Sequence, residues 1–312
     1  MPSDIINSIL ARVNRPDLVK VLSEDLSGSE LNSVLLEILK LKAKGMTPPS
    51  LLNFYQQNRF VKPADLPVVE TKRIEFEVLQ LFEQHGFTPI ELSPVSSLGS
   101  CSVVAPADQN KVLSALRGTE VLADSTNAIA LHVSDLKQKN LLPDRVAKVC
   151  NIQRMVRTQA ITGKGFTPHF RVGCLVSSGT DTGAFEFEKT ALNEHLRMMK
   201  VLFLDYYKVE KIAFRLLYRA GYVSNFLKDV TDFLISNNPD TNITQVDLPE
   251  KQNAYYKGIQ YKVDVAFNGS TYEIGDGGFV DWTQQLLQNK KERMLSTGFG
   301  FDFIYRVLRG EL

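Results

Sequence analysis

The sequence predicts an α+β protein: a mixed, mostly antiparallel sheet flanked by helices, preceded by a small helical domain. Three observations predict it. Residues 146–179 hold two apolar segments, VAKVCNIQRMVRTQ and HFRVGCLVSSG, on either side of a polar turn rich in Gly and Pro, the pattern of a long antiparallel hairpin. Residues 255–274 repeat that pattern around Asn268-Gly269, the strongest short hairpin signal in the chain. Finally, the regular strand–helix alternation of a doubly wound parallel sheet is missing, and residues 1–60 carry helical periodicity alone.

Composition bounds the function. The chain has 312 residues, 44% hydrophobic and 23% charged, which suits one large core and a smaller domain. The formal net charge is +1, and Lys290, Lys291 and Arg293 form only a short cluster around Glu292, so a nucleic-acid backbone is not an expected partner. Cys101, Cys150 and Cys174 are odd in number, widely spaced and in apolar surroundings; they read as reduced core residues of a cytoplasmic protein. The histidines (His85, His132, His169, His195) lack metal-ligand spacing, so no metal is expected. The first ten residues lack the basic start and apolar run of a signal peptide. No segment reaches the roughly 20 apolar residues that cross a bilayer, so no membrane association is expected.

Taken in order, residues 4–13 place Ile5, Ile6, Ile9 and Leu10 at helical spacing. Pro16 suits the first turn of a second short helix. Ser29 is read as the cap of a third, carrying Leu31, Val34, Leu35, Ile38, Leu39 and Leu41 and stopping near Gly45. Thr47 with Pro48 and Pro49 starts a fourth that ends around Asn58. These apolar stripes need a partner: one another, in a domain over 1–60, or a docked protein. Residues 61–69, with Pro63 and Pro67, form a linker to a domain over 70–312.

From Glu70 a helix runs through Ile74, Phe76, Val78, Leu79 and Phe82 to His85-Gly86, followed by a short strand closed by Pro94. Residues 111–116 read as a short helix. Residues 120–132 look strand-like, with Asp124, Ser125 and Thr126 inside an apolar run. Asp124 there either meets a cation or caps a backbone turn. Arg157 sits at the mouth of the central hairpin; it is either a bidentate clamp for a carboxylate or phosphate, or an exposed arginine in a weak surface pair. Residues 185–207 read as a long helix with Glu186 and Glu188 in its first turn, and 208–237 as mostly helix. Residues 255–267 alternate as a strand, 270–274 return, and Gly275-Asp276-Gly277-Gly278 lets backbone approach something closely. Residues 281–294 read as helix, 296–303 as a strand with Gly298 and Gly300 leaving room on one face, and the remainder as a short helix.

The order of these pieces resembles the class II aminoacyl-tRNA synthetase catalytic domain, in its histidyl branch, over 70–312. The family's first motif, a helix and a proline-ended strand that makes the dimer interface, resembles Glu70 to Pro94. Its second motif, strand–loop–strand with an arginine on the ATP α-phosphate, resembles Val149 to Val176 with Arg157 in the arginine position. The tyrosine pair of the histidyl branch resembles Tyr255-Tyr256-Lys257-Gly258. Its GGRYD segment resembles Gly277-Gly278-Phe279-Val280-Asp281. The third motif, GxGx(D/E)R, resembles Gly298-Phe299-Gly300-Phe301-Asp302-Phe303.

The departures shape the expected function. The third-motif arginine is Phe303, and a neutral ring cannot replace a guanidinium facing a polyphosphate. Arg306 lies one turn on. The acid after the second-motif arginine is Gln159, the GGRYD arginine is Phe279, and the arginine before the tyrosine pair is at best Lys251. The glutamine and glutamate with which the family holds its histidine substrate fall near Val172 and Val176, or one residue earlier at Arg171 and Leu175; the acid is missing in either register. No anticodon-binding domain follows the third motif. The resemblance therefore implies a noncatalytic, regulatory synthetase-like protein, similar to the ATP phosphoribosyltransferase regulatory subunit. It would bind an amino-acid-like ligand at Asp124, Thr126, Arg157, Val172, Val176, Tyr255, Tyr256, Gly277 and Gly278, or a partner protein, without a cofactor and without tRNA. A homodimer through residues 73–94 is expected. The alternatives are an ATP-dependent ligase using Mg²⁺, with Arg157 and Arg306 on the nucleotide, and a structural homodimer without ligand. Phe279 and Phe303 filling the cavity would leave no room for a ligand.

Overall fold

The computed structural model describes residues 2–142, 145–159, 167–246 and 255–312. Helices α1 (Pro2–Val13), α2 (Leu18–Lys20), α3 (Gly28–Lys44) and α4 (Pro48–Gln57) come first, and α5 (Val68–Gln84) opens the main body. The sheet strands are β1 (Thr88–Pro89), β4 (Ala147–Val156), β5 (His169–Thr180), β6 (Lys211–Arg219), β7 (Asn242–Gln245), β8 (Lys257–Phe267), β9 (Ser270–Val280) and β10 (Glu292–Gly300). A small separate ladder holds β2 (Val95–Ser97) and β3 (Thr119–Val121). Between and after the strands lie α6 (Ser125–Gln138), α7 (Glu186–Lys200), α8 (Phe226–Asn237), α9 (Trp282–Leu287) and α10 (Phe301–Leu308).

The main sheet has eight strands in the order β1-β4-β5-β10-β9-β8-β6-β7. Only its outer pairs, β1 with β4 and β6 with β7, are parallel. The interior is antiparallel, built on the two expected hairpins: β4/β5 in register from Ala147 opposite Ser178 to Val156 opposite His169, and β8/β9 turning at Asn268-Gly269. Both turn residues have positive φ (49° and 74°), which is why Asn-Gly belongs there. Successive side chains on a strand point to opposite faces, so each face packs its own core. Leu175 and Phe299 point into a large core with Phe82, Leu192, Phe203 and Phe226; Val176 points the other way, into a smaller core with Ile129, Val133, Val149 and Trp282.

Several elements differ from the sequence reading, each for a physical reason. Of residues 120–132 only Glu120 and Val121 are strand, in β3: α6 begins at Ser125, capped by Asp124, and Ile129, Ala130 and Val133 share its buried face at helical spacing. The segment 208–237 is half strand, because Ile212, Phe214 and Leu216 alternate inward along β6. The helix expected over 111–116 is a single 3-10 turn, Gln109–Lys111. The helix expected over 281–294 ends at Leu287, where Gln288 takes a left-handed conformation (φ 50°), and β10 starts at Glu292. The strand before Pro94 is only Thr88–Pro89, since Pro89 has no N–H for a ladder.

The four N-terminal helices form as expected, with Thr47 and Gly45 in the expected capping roles. Ser27 rather than Ser29 caps α3, in a reciprocal capping box with Glu30. Their mutual packing is not as expected: among the described residues up to Phe60, none is buried.

Candidate functional site

The site grows from the β4/β5 hairpin and the turn that starts α6. Arg157 follows β4 directly, and its N–H donates to the carbonyl of Pro168 across the hairpin (3.0 Å). Its Nε donates to the carbonyl of Ala123 (3.0 Å), and its guanidinium lies 5.4 Å from the centre of the Phe170 ring. The side chain is thus held along one edge. Among the described residues Arg157 makes no ion pair.

Asp124 is next to Ala123. Its Oδ1 accepts from the backbone N–H and the hydroxyl of Thr126, both at 2.8 Å, which caps α6. Its Oδ2 accepts from the Tyr255 hydroxyl at 2.9 Å. The capping reading of Asp124 therefore holds, and the same carboxylate borders the cavity. Tyr255 packs edge-on against Tyr256 (4.7 Å) and Trp282 (5.0 Å). Burial, reinforced by Asp124, raises the Tyr255 phenol well above its ordinary range; burial, reinforced by Asp276, does the same for Tyr256. Both phenols stay protonated and act as donors onto carboxylates. Burial likewise pushes the Cys101 thiol up to about 12, so it is no thiolate nucleophile.

Two adjoining chambers, of about 340 and 190 Å³, share Asp124, Arg157, Tyr255, Tyr256 and Asp276 as walls. The larger continues past Lys111, Asn127, Gln159 and Gln260. The smaller is floored by Thr126, Val172, Cys174, Ser296, Gly298 and Gly300. Carboxylate and guanidinium face one space whose floor sets Val172 beside the hydroxyls of Thr126 and Ser296, an arrangement suited to an ammonium at one end of a ligand and a carboxylate or phosphate at the other.

The remaining expected site residues lie elsewhere. Val176, two residues beyond Cys174 on the same face, is sealed in the smaller core and lines neither chamber. Gly277 and Gly278 also do not line them. A Cβ at Gly277 would sit 2.6 Å from the Tyr261 ring, and one at Gly278 2.6 Å from the Tyr256 ring, so these glycines make room for tyrosines rather than for a ligand. Arg306 is turned away: its guanidinium donates to Glu311 (3.0 Å) and to the carbonyl of Asp65 (2.6 Å). Phe279 packs against Phe226 in the large core, and Phe303 lies near Tyr272, so neither fills the cavity. Lys251 falls outside the described residues.

The sequence reading missed Asp276 and Lys111. Asp276 accepts from Gln260 (3.0 Å) and Lys262 (3.3 Å) while facing both chambers. Its signal was a lone acid among glycines on a strand. A strap from the N-terminal segment also closes on the hairpin. Arg59 donates to the carbonyl of Thr158, and the carbonyl of Lys62 accepts from His169 Nε2 at 2.6 Å. Among the described residues no cluster of His, Cys, Asp and Glu could hold a metal ion, and no helix is long and apolar enough to cross a membrane.

No protein-family model and no curated protein matches the sequence. Solved structures do. The histidyl-tRNA synthetase of S. aureus superposes with a TM-score of 0.60 at 12% identity, over 80% of this chain and 69% of that one. An ATP phosphoribosyltransferase regulatory subunit/histidyl-tRNA synthetase from Bacillus halodurans superposes with a TM-score of 0.61 at 12% identity, over 81% of this chain and 83% of that one. The chain has the class II aminoacyl-tRNA synthetase fold. A threonyl-tRNA synthetase of Aeropyrum pernix is also similar, with a TM-score of 0.57 at 15% identity over 77% of this chain and 60% of that one. Within this class II synthetase-like fold, Arg157 stands at the end of the first strand of the strand–loop–strand pair, and Phe303 stands at the start of the last helix.

Proposed function

We propose that this class II synthetase-like chain is a noncatalytic binding protein that holds a small amino-acid-like ligand in the cavity beside Arg157, in a regulatory role. The observation that carries the reading is the convergence of Asp124 and Arg157 on one cavity whose floor at Val172 is apolar. The amine of the ligand pairs with Asp124, and its carboxylate with Arg157. An imidazole end would lose a hydrogen bond against the valine, at a cost of about 1–3 kcal/mol, so an apolar amino acid fits better than histidine. Catalysis with ATP would need a second cation on the triphosphate as charge shifts; Phe303 is neutral and Arg306 is engaged with Glu311 and Asp65, which leaves, among the described residues, only Lys111 of the larger chamber for that role. We further propose a two-fold homodimer through residues 73–94, a cytoplasmic location, and no role for tRNA.

The test is calorimetry and thermal shift with leucine, methionine, histidine and Mg-ATP as probes. Leucine or methionine should raise the melting temperature by mass action. Mg-ATP should bind weakly or not at all, since each lost charge-assisted contact costs roughly 1.5–3 kcal/mol, about ten- to a hundredfold in affinity. Submicromolar ATP affinity, or amino-acid-dependent pyrophosphate exchange, would overturn the reading in favour of an ATP-dependent ligase that activates a carboxylate.

A further inference from the structure

The N-terminal helices present an unusual combination. Their ends are well specified, with capping boxes at Ser27 and Thr47, yet no described side chain up to Phe60 is buried. Helices this short gain most of their stability from packing an apolar face, so a face left bare is incomplete. The bare face of α3 has a definite pattern. Leu31, Val34, Ile38 and Leu41 recur at intervals of three and four, the spacing of a two-helix seam. Val34 is 39%, Ile38 43% and Leu41 60% exposed. The only described hydrogen bond from α3 to the main body, Asn32 Oδ1 accepting from the Arg117 N–H at 2.8 Å, lies to one flank and leaves the seam uncovered.

Charge selects the occupant. The N-terminal end of this stretch is acidic (Glu24, Asp25, Glu30), and the C-terminal end is basic (Lys40, Lys42, Lys44). An identical helix running in the opposite direction is its complement. With Leu31 of one copy opposite Leu41 of the other, Val34 falls opposite Ile38, so every layer is apolar. Glu30 of one copy then comes beside Lys42 and Lys44 of the other. A parallel pairing would instead stack the lysines against one another. With Glu37, which pairs with Lys40 on the same helix, the stretch from Glu24 to Lys44 holds four acids and three lysines; it is near neutral and offers little net attraction to a strongly acidic or basic partner.

We propose that α3 pairs antiparallel with α3 of a second copy of this chain, making a two-fold self-interface. The seam is short, about 15 Å from Leu31 to Leu41 at 1.5 Å per residue. A stable interface buries on the order of 800 Å² per partner. This interface is separate from any pairing through α5 and does not depend on what the cavity binds.

The full chain tests it, by light scattering over a dilution series. Two charge-reversed variants are made: E24K/D25K/E30K, and K40E/K42E/K44E. Each should scatter as half the wild-type mass, because like charges then meet at both ends of the seam. Mixing the two should restore the wild-type mass, because each is the other's complement. Where α5 pairs the chains about a different axis, the variants fall back to the α5 dimer, at half the wild-type mass or less. An Ile38→Ser/Leu41→Ser variant, which keeps the capping box, should match the separate variants in mass, with circular dichroism confirming that its helices persist. A wild type no heavier than Ile38→Ser/Leu41→Ser would overturn the proposal. So would reversed variants that stay assembled, or a mixture that fails to recombine, which would point to a different protein on this face.

Discussion

Replacing Asp124 in two ways separates its two duties. Asp124→Ala removes the cap of α6, at about 0.5–2 kcal/mol. It also deprives the buried Tyr255 hydroxyl of the carboxylate it donates to at 2.9 Å, adding about 1–3 kcal/mol. The total should be roughly 2–4 kcal/mol, since the Thr126 hydroxyl, 3.3 Å from the Tyr255 oxygen, recovers part of the second loss. Asp124→Asn keeps an N-cap of equal rank and a polar group facing Tyr255, so its stability should fall by about 1 kcal/mol or less. Its charge is gone, however, so an amine-bearing probe such as leucine should bind about ten- to a hundredfold more weakly. Urea midpoints give the first comparison, and calorimetry with leucine the second. Equal destabilisation by Asn and Ala would refute the capping argument. Unchanged leucine affinity in Asp124→Asn would refute the amine role.

Three further outcomes follow from the buried groups. His195 is fully buried between the Ser177 and Thr297 hydroxyls, and burial depresses it to about 3. Its unfolded value is near 6.5, so the unfolded chain binds the extra proton and stability should fall as pH drops from about 6.5 toward 3, by up to about 1.4 kcal/mol per pH unit. In His195→Gln that one-proton slope should vanish from urea midpoints taken between these limits, and an unaltered slope would count against it. Arg171 is buried against Asp302 (2.7 Å) and Glu75 (2.8 Å); Arg171→Met leaves Asp302 only Arg154 (3.6 Å) and Glu75 only Lys72 (2.8 Å), so it should cost toward the lower end of about 3–5 kcal/mol by urea titration, where a loss within experimental error would show the pair to be slack. At Gly173 a Cβ would lie 2.2 Å from the Phe299 ring, so Gly173→Ala should cost about 1–3 kcal/mol, and Phe299→Leu in the same chain should recover part of it if overpacking is the cause.

What the sequence could tell depended on the range of the forces involved. Both hairpins were legible because a turn and its flanking alternation are local, as at Asn268-Gly269. The strand β6 was harder to read: Ile212, Phe214 and Leu216 alternate, but the run merges into α8 without a strong breaker. Residues 120–132 misled because a buried apolar run looks alike as a short strand or as helix α6. Within the site, Asp124 and Arg157 stood out as charges where a charge is costly or geometrically special. Asp276 did not, because the face it takes depends on β8/β9 register shifts between Lys257 and Gln260 and between Val263 and Asp264. Val176 shows the same limit from the other side. Its parity with Val172 was readable, but its cover by the smaller core is a long-range fact of packing.

The strap formed by Arg59 and Lys62 makes the first sixty residues a lever on the hairpin. It grips one carbonyl on the outgoing side of the loop, at Thr158, and one imidazole on the returning side, at His169. Arg157 lies just outside those grips, next to Thr158 in sequence, and its N–H donates to the carbonyl of Pro168, next to His169. Any event on the N-terminal helices that favours the strap's closed position therefore restricts the guanidinium, and any event that releases the strap loosens it. The coupling runs equally in reverse: a molecule that draws Arg157 into the cavity changes the free energy of whatever the helices engage by the same factor.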